Sequence, residues 1–123
     1  MRTLLFGTVA AIGLAAALPA AAQDAKQDFT LVNKTGYELK EVYVAPTKSN
    51  SWEEDIMGQG VLEDGKAVNI HFSPKVKTCK WDLKVVYTVD GSNAVWNEID
   101  LCSTDKITIF YDKAKDVTRA TFD

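Results

Sequence analysis

Apolar and polar residues alternate in short segments from residue 29 onward, and turn-forming residues separate these segments. Because successive side chains of a strand point to opposite faces, this period of two predicts strands that bury one face. The clearest segment is 79–89, in which Trp81, Leu83, Val85 and Tyr87 alternate with mostly charged residues. The predicted strands are 29–33, 37–45, 67–72, 79–89, 94–101, 106–111 and 117–122, with a short extra strand at 61–62.

Seven or eight short strands with turn residues between them predict an all-β fold, an antiparallel β-sandwich. The segment 47–60 departs from the alternation. Asn50 or Ser51 is a suitable cap for one short helical turn, which carries Trp52 and Ile56 on one side and ends at Gly58. We therefore expect a single β-sandwich domain over residues 23–123, with one short helical turn.

The first 22 residues have the pattern of a signal peptide. Arg2 precedes an apolar run that ends at Pro19, and three alanines follow at 20–22. This run is short for a membrane span, and no polar stop-transfer flank follows it, so cleavage before Gln23 is favoured over a retained anchor. The mature chain then has 101 residues (123 − 22), no stable membrane anchor and a periplasmic or secreted location.

The mature chain is predicted to be mildly acidic. Arg2 is the only charged residue of the leader, so 14 − 1 = 13 basic residues remain against 17 acidic ones, a net charge of −4. The lysines are scattered and form no one-sided basic cluster. Nucleic acid and anionic lipid are therefore not expected as partners.

Two cysteines, Cys79 and Cys102, lie in the mature part, and in an oxidising compartment such a pair is most simply a disulfide. Closing this loop lowers the conformational entropy of the unfolded chain, which stabilises the folded state by about 3 kcal/mol. A thiol nucleophile or a pair of metal ligands is the alternative. A zinc site needs about four ligands, and His71 is the only histidine, so we expect neither a metal nor another cofactor.

The central hairpin allows two registers. A two-residue turn at 90–91 places Cys79 opposite Cys102 but turns acids toward the face of Trp81. A three-residue loop instead aligns Ile99 with Leu83 and Leu101 with Trp81, and this hydrophobic register is favoured. It requires either a bulge near 101–102 that returns the thiol of Cys102, or a disulfide just outside the regular ladder.

No catalytic constellation is apparent in the sequence. His71 points outward on its predicted strand, and no nucleophilic, phosphate-binding or metalloprotease motif occurs. A non-enzymatic binding or interaction module is therefore expected, with an unknown protein or small ligand as its partner. One alternative is a calcium-stabilised domain that uses the oxygens of 90–93. A third is a small hydrolase or lyase that uses paired carboxylates.

The segment 49–58 is the predicted recognition surface. It places Trp52 beside acids, and an indole in a loop offers both apolar area and a polar tip. Trp52 and Asp55 are the predicted partner contacts. In the alternative interpretation, Trp52 and Ile56 fold inward and close the open end of the sandwich.

Several motifs resemble those of a family of small exported bacterial proteins of unknown function. They are VNKTGY at 32–37, EVYV at 41–44, Trp52 with Asp55 and Gly58, Val61-Leu62 with Gly65, CKWDL at 79–83, Asp90-Gly91 and DLC at 100–102. The resemblance covers nearly the whole mature domain and implies no established activity. Some members bear an argininosuccinate lyase name, which implies a large helical tetramer that a β-rich domain of about 100 residues has no room for. Arg119 is also the only arginine left after leader removal, so we expect no lyase activity.

Overall fold

The computed structural model describes residues 25–123, so the predicted signal peptide lies outside the described residues. Seven strands form in this part of the chain, and the alternation described above accounts for each of them. They are β1 (Phe29–Lys34), β2 (Leu39–Pro46), β3 (Ala67–Ile70), β4 (Lys80–Tyr87), β5 (Asn93–Asp100), β6 (Lys106–Asp112) and β7 (Val117–Phe122). The predicted 61–62 strand is a single bridge between Leu39 and Leu62.

The strands form two sheets, with orders β3-β1-β6-β7 and β2-β4-β5. All pairs are antiparallel except β1 and β6, which run parallel. The inward residues of both sheets make one hydrophobic core, with Leu31 and Ile107 from one sheet and Val42 and Leu83 from the other. The all-β sandwich is therefore confirmed. Within residues 25–123, no helix is long and apolar enough to cross a bilayer.

The register of the β4–β5 hairpin differs from both predicted registers. Tyr87 N donates to Ser92 O (2.8 Å), so the connection holds four residues, 88–91, and not two or three. Leu83 consequently pairs with Trp96, and Ile99 pairs with Trp81. The favoured register was wrong because the loop is longer than its Asp-Gly signal indicates.

A β-bulge in β5 lies at a different place from the predicted one. Between the pairs Trp81–Ile99 and Leu83–Trp96, two residues of β5 oppose Asp82 alone. One of them, Glu98, has a φ of 57° and donates its N–H to Asp82 Oδ1 (2.9 Å). The bulge lets Trp96 and Ile99 both face the core although three positions separate them.

The disulfide between Cys79 and Cys102 is present, with Cα atoms 5.2 Å apart. Cys79 precedes β4 and Cys102 follows β5, so the bond lies just outside the regular ladder. The second of the two predicted arrangements is confirmed, and no bulge at 101–102 is needed. The bond joins the two strands at the end of the sandwich where β4 begins. A structural disulfide of this kind indicates an oxidising, extracytoplasmic location.

The segment 47–60 contains tight turns where a helical turn was predicted. Gly58 N donates to Asp55 O (3.0 Å) and Gly60 N donates to Met57 O (2.8 Å), so each bond spans three residues. The segment is held along the outer edge of β2, where Ile56 N donates to Val42 O (2.9 Å). These bonds to the strand edge replace the bonds that a helix would make within itself.

Candidate functional site

A cleft of about 410 Å³ opens at the end of the sandwich opposite the disulfide. It lies where the β4–β5 and β6–β7 hairpins meet the β1–β2 connection, so each of the two sheets supplies part of its wall. Its volume falls in the range of small-molecule sites. We call it the tyrosine cleft, because its aromatic residues are Tyr37, Tyr87 and Tyr111.

The three tyrosine rings form a compact corner. Their centroids are 5.6 Å apart for Tyr37 and Tyr111, and 6.1 Å apart for each of the other two pairs. The interplanar angles are 81°, 90° and 66°, so the rings meet edge to face and do not stack. Tyr87 is only 4% exposed and forms the base, whereas Tyr37 is 36% exposed and stands at the opening.

Two of the three hydroxyl groups are fixed by hydrogen bonds to β7 or to the turn before it. Tyr87 Oη lies 2.7 Å from Thr118 Oγ1, and Tyr111 Oη donates to Asp116 Oδ1 (2.7 Å). This second bond raises the pKa of Tyr111 to about 12. Burial raises the pKa of Tyr87, and the carboxylates of Asp90 and Asp116 add to that effect. Tyr87 and Tyr111 are therefore neutral hydrogen-bonding groups at ordinary pH.

The acids of the cleft stand on the two hairpin turns. Asp90 Oδ1 accepts hydrogen bonds from Ser92 Oγ (2.7 Å) and Ser92 N (2.9 Å), and these bonds lower the pKa of Asp90. Asp116 has a φ of 53°, a left-handed conformation that a carboxylate side chain tolerates better than most. The remaining lining residues are polar or small and include no lysine, arginine or histidine: Ser92, Asn93, Thr118, Val89 and Ala94.

The predicted contact Trp52 lies elsewhere, on the outer face of the β2-β4-β5 sheet. Its ring centroid is 6.5 Å from that of Tyr43, and Lys84 Nζ lies 5.5 Å from the Trp52 ring and 5.0 Å from the Tyr43 ring. Tyr43 Oη donates to Glu41 Oε1 (2.8 Å), and this bond raises the pKa of Tyr43. We call Tyr43, Trp52 and Lys84 the Trp52 surface. Trp52 is half-buried there and does not close the end of the sandwich.

The other predicted contact, Asp55, holds the loop in place. Its Oδ1 accepts hydrogen bonds from Val42 N (2.9 Å) and Met57 N (3.0 Å). The carboxylate thus satisfies an edge N–H of β2 that would otherwise face solvent. Asp55 therefore positions the segment that carries Trp52, and its role as a partner contact stays a prediction.

Of the other residues predicted for chemistry, His71 and the two cysteines lie outside the tyrosine cleft, whereas the 90–93 segment lines it. His71 follows β3, and its Nδ1 lies 3.3 Å from Asp28 Oδ2. Within residues 25–123, one group of three potential metal-ligating side chains comes close together: Cys79, Asp100 and Cys102. Its two sulfur atoms are bonded to each other, so neither is a free thiolate ligand. The 90–93 segment proposed for calcium forms the Asp90–Ser92 turn described above.

Sequence reasoning missed the tyrosine cleft. Its three rings come from the segments before β2, at the end of β4 and near the end of β6, and no fixed spacing links them. The available signal was positional: each tyrosine lies close to a turn, with Gly36, Asp90-Gly91 and Asp112–Asp116 nearby. Pairing those turns at one end of a sandwich requires the strand order, which the local pattern does not contain.

The fold and the cleft define a small disulfide-closed β-sandwich with a tyrosine-containing cleft at one end. Comparisons of the chain with protein-family models, with curated proteins and with solved structures give no match.

Proposed function

We propose that this protein is a non-enzymatic binding module that takes a small ligand in the tyrosine cleft. The carrying observation is the cleft itself, which has a volume of about 410 Å³ and sets three tyrosine rings beside polar and charged side chains. In small-molecule sites, aromatic area supplies affinity and placed polar groups supply orientation, and this cleft contains both kinds of group. The tyrosine hydroxyls held by Thr118 and Asp116 are pre-ordered, which lowers the cost of binding.

The chemistry of the cleft supports binding over hydrolysis. A glycosidase of the paired-carboxylate type needs one carboxyl group that holds its proton near neutral pH. The hydrogen bonds from Ser92 have the opposite effect, since they lower the pKa of Asp90. Asp116 accepts a hydrogen bond from the Tyr111 hydroxyl and thereby anchors the ring.

The site of action that we propose is the periplasm or the extracellular space. The leader pattern at 1–22 and the Cys79–Cys102 bond both support export. Expression of the full chain in a bacterium, followed by fractionation and intact mass measurement, tests this. We expect an exported species that begins at Gln23, and a cytoplasmic species that retains Met1 would contradict it.

Ligand binding is tested by amide NMR spectra of the mature chain (23–123) against a panel of neutral, anionic and cationic small metabolites and sugars. We expect saturable shifts confined to amides near 87–94 and 111–118 for at least one compound. Tyr37→Ala removes a wall of the cleft and should weaken that binding about tenfold, which corresponds to a lost aromatic contact. The matched control is Tyr43→Ala on the outer face. Binding unchanged in Tyr37→Ala would contradict the proposal.

The Trp52 surface is a second candidate, for a protein partner. The observation that favours it is that Lys84 lies over the rings of both Tyr43 and Trp52 on the outer face of the β2-β4-β5 sheet. A contact residue must be reachable, and this is measured by iodide or acrylamide quenching of the mature chain compared with Trp52→Phe. We expect a quencher-accessible indole, and a fully protected Trp52 would remove this candidate.

A further inference from the structure

We propose that the ligand of the tyrosine cleft is a compact organic cation with a methylated ammonium head. The proposal rests on the proposed binding function and deepens it by naming the ligand class. Two features of the cleft carry it: three tyrosine rings that meet as a corner, and two carboxylates on the adjoining turns.

The charge of the lining residues favours a positively charged ligand. Asp90 and Asp116 are the charged residues of the cleft lining, which contains no basic side chain. Both carboxylates lie near enough to Tyr87 to affect its hydroxyl electrostatically. An anionic ligand would therefore meet two negative charges and no counter-charge, whereas a cation would neutralise them.

The rings select the kind of cation. The face of an aromatic ring carries negative potential, and a cation within about 6 Å of the centroid is attracted to it. The planes of the three rings are inclined to one another at 66° to 90°, so they form a curved and not a flat aromatic surface, which suits a rounded head better than a flat one. A methylated ammonium also loses less hydration than a bare ammonium or a metal ion when it enters an aromatic site.

Local hydrogen bonds favour a charged Asp90 and a neutral Tyr111 near neutral pH. The Ser92 bonds favour the ionised form of Asp90, and Tyr111 stays protonated as the donor to Asp116. The phenol consequently adds no charge of its own, and its hydroxyl is held by Asp116 Oδ1. The cleft lining therefore carries negative charge from its own side chains.

The test compares choline with its uncharged carbon isostere, in which a tert-butyl group replaces the trimethylammonium head. Both are titrated into the mature chain (23–123) and followed by amide NMR. Because the shapes match, any difference in affinity reports the charge. We expect choline to give saturable shifts near 87–94 and 111–118, and the isostere to bind at least about tenfold more weakly.

Two variants locate the effect. Asp90→Asn and Asp116→Asn keep the hydrogen-bond acceptors for Ser92 and Tyr111 and remove one charge each. Each variant should weaken the binding of choline about fivefold and leave the affinity for the isostere unchanged. The control is Asp105→Asn, an exposed acid at the disulfide end. Thermal melts of all three variants establish that the fold is intact.

The outcomes separate the two proposals. Equal affinity for choline and the isostere, or choline binding that neither asparagine variant weakens, overturns the cation inference and leaves the cleft as a binding site. Absence of cleft shifts with choline also overturns the inference, while the metabolite panel decides the proposed function separately. Selective choline binding that both variants weaken supports the inference.

Discussion

Asn33 is a fully buried polar side chain whose hydrogen-bonding capacity is all used. Its Nδ2 donates to Tyr37 O (2.8 Å) and Leu62 O (2.9 Å), and its Oδ1 accepts from Thr35 N (3.0 Å) and Thr35 Oγ1 (2.7 Å). These bonds fix the β1–β2 connection, and with it the backbone that carries Tyr37 into the cleft. One residue therefore links the core to the opening of the site.

We expect Asn33→Ala to lower the free energy of unfolding by about 3 kcal/mol, because it leaves buried donors and acceptors without partners. Asn33→Asp should be as damaging, since it turns a carboxylate oxygen toward the carbonyls of Tyr37 and Leu62. The measurement is chemical denaturation. Asn50→Ala, at an exposed position, is the control and should change stability by about 0.5 kcal/mol at most. If Asn33→Ala lowers the free energy of unfolding no more than Asn50→Ala does, the hydrogen bonds of Asn33 contribute little to stability.

A second single residue, Tyr111, leads to a prediction about how stability depends on pH. Its hydrogen bond to Asp116 raises the pKa from 10.0 to about 12, so the folded protein holds this proton more tightly than the unfolded chain does. The resulting stabilisation is complete below pH 10 and is lost as the pH rises toward 12. Phenolate absorbance, taken as the difference between the wild type and Tyr111→Phe, measures this pKa.

Asp116→Asn should bring the pKa of Tyr111 back toward 10, because it removes the charge that opposes ionisation. Asp112→Asn is the control, since Asp112 lies near the same turn but bonds to Lys115 N. If Tyr111 titrates near pH 10 in the wild-type protein, the Asp116 bond is not formed in solution.

At the scale of the elements, the segment 47–60 serves as a substitute for a neighbouring strand. β2 is an edge strand. Asp55 Oδ1 accepts a hydrogen bond from Val42 N, and Ile56 N donates one to Val42 O. Leu62 pairs with Leu39 farther along the same edge. The edge is thereby covered without a further β-ladder, which limits pairing with other chains.

Asp55→Ala should detach this segment from β2. A hydrogen bond to a charged group contributes about 1.5–3 kcal/mol, and Asp55 makes two such bonds. We expect faster amide hydrogen exchange at Val42 and Met57, and greater quenching of Trp52. Glu54→Ala, the adjacent exposed acid, is the control and should leave both unchanged. Unaltered exchange at Val42 in Asp55→Ala would mean that the backbone bond of Ile56 holds the loop alone.

The strands were predictable because each carries its own alternation, and β7 matches its predicted bounds. The register of β4 and β5 was not, since it depends on the length of the 88–91 loop and on the bulge at Glu98. A left-handed non-glycine residue within a strand leaves no local mark in the sequence. Likewise, Trp52 was recognised as unusual, but its contact with Lys84 follows from the sheet register.

At the scale of the whole molecule, the two ends of the sandwich have different roles. The disulfide end could be predicted from the sequence, because the two cysteines outside the predicted leader have one simple pairing. The cleft end was not, because it assembles three tyrosines from separate strands and turns. β4 joins the ends: Cys79 precedes it and Tyr87 ends it, a span of about 26 Å at the usual rise per residue.

This separation predicts that stability and binding respond independently to loss of the disulfide. The double change Cys79→Ser and Cys102→Ser should lower the free energy of unfolding by about 3 kcal/mol, since the bond closes a loop with a sequence separation of 23. Distant sites without shared partners behave additively, so the affinity of a cleft ligand should change by less than about twofold below the melting transition. Denaturation curves and NMR titrations of the same samples measure both quantities. A fall in affinity in the disulfide-free protein, measured while it is fully folded, would mean that covalent closure at one end shapes the cavity at the other.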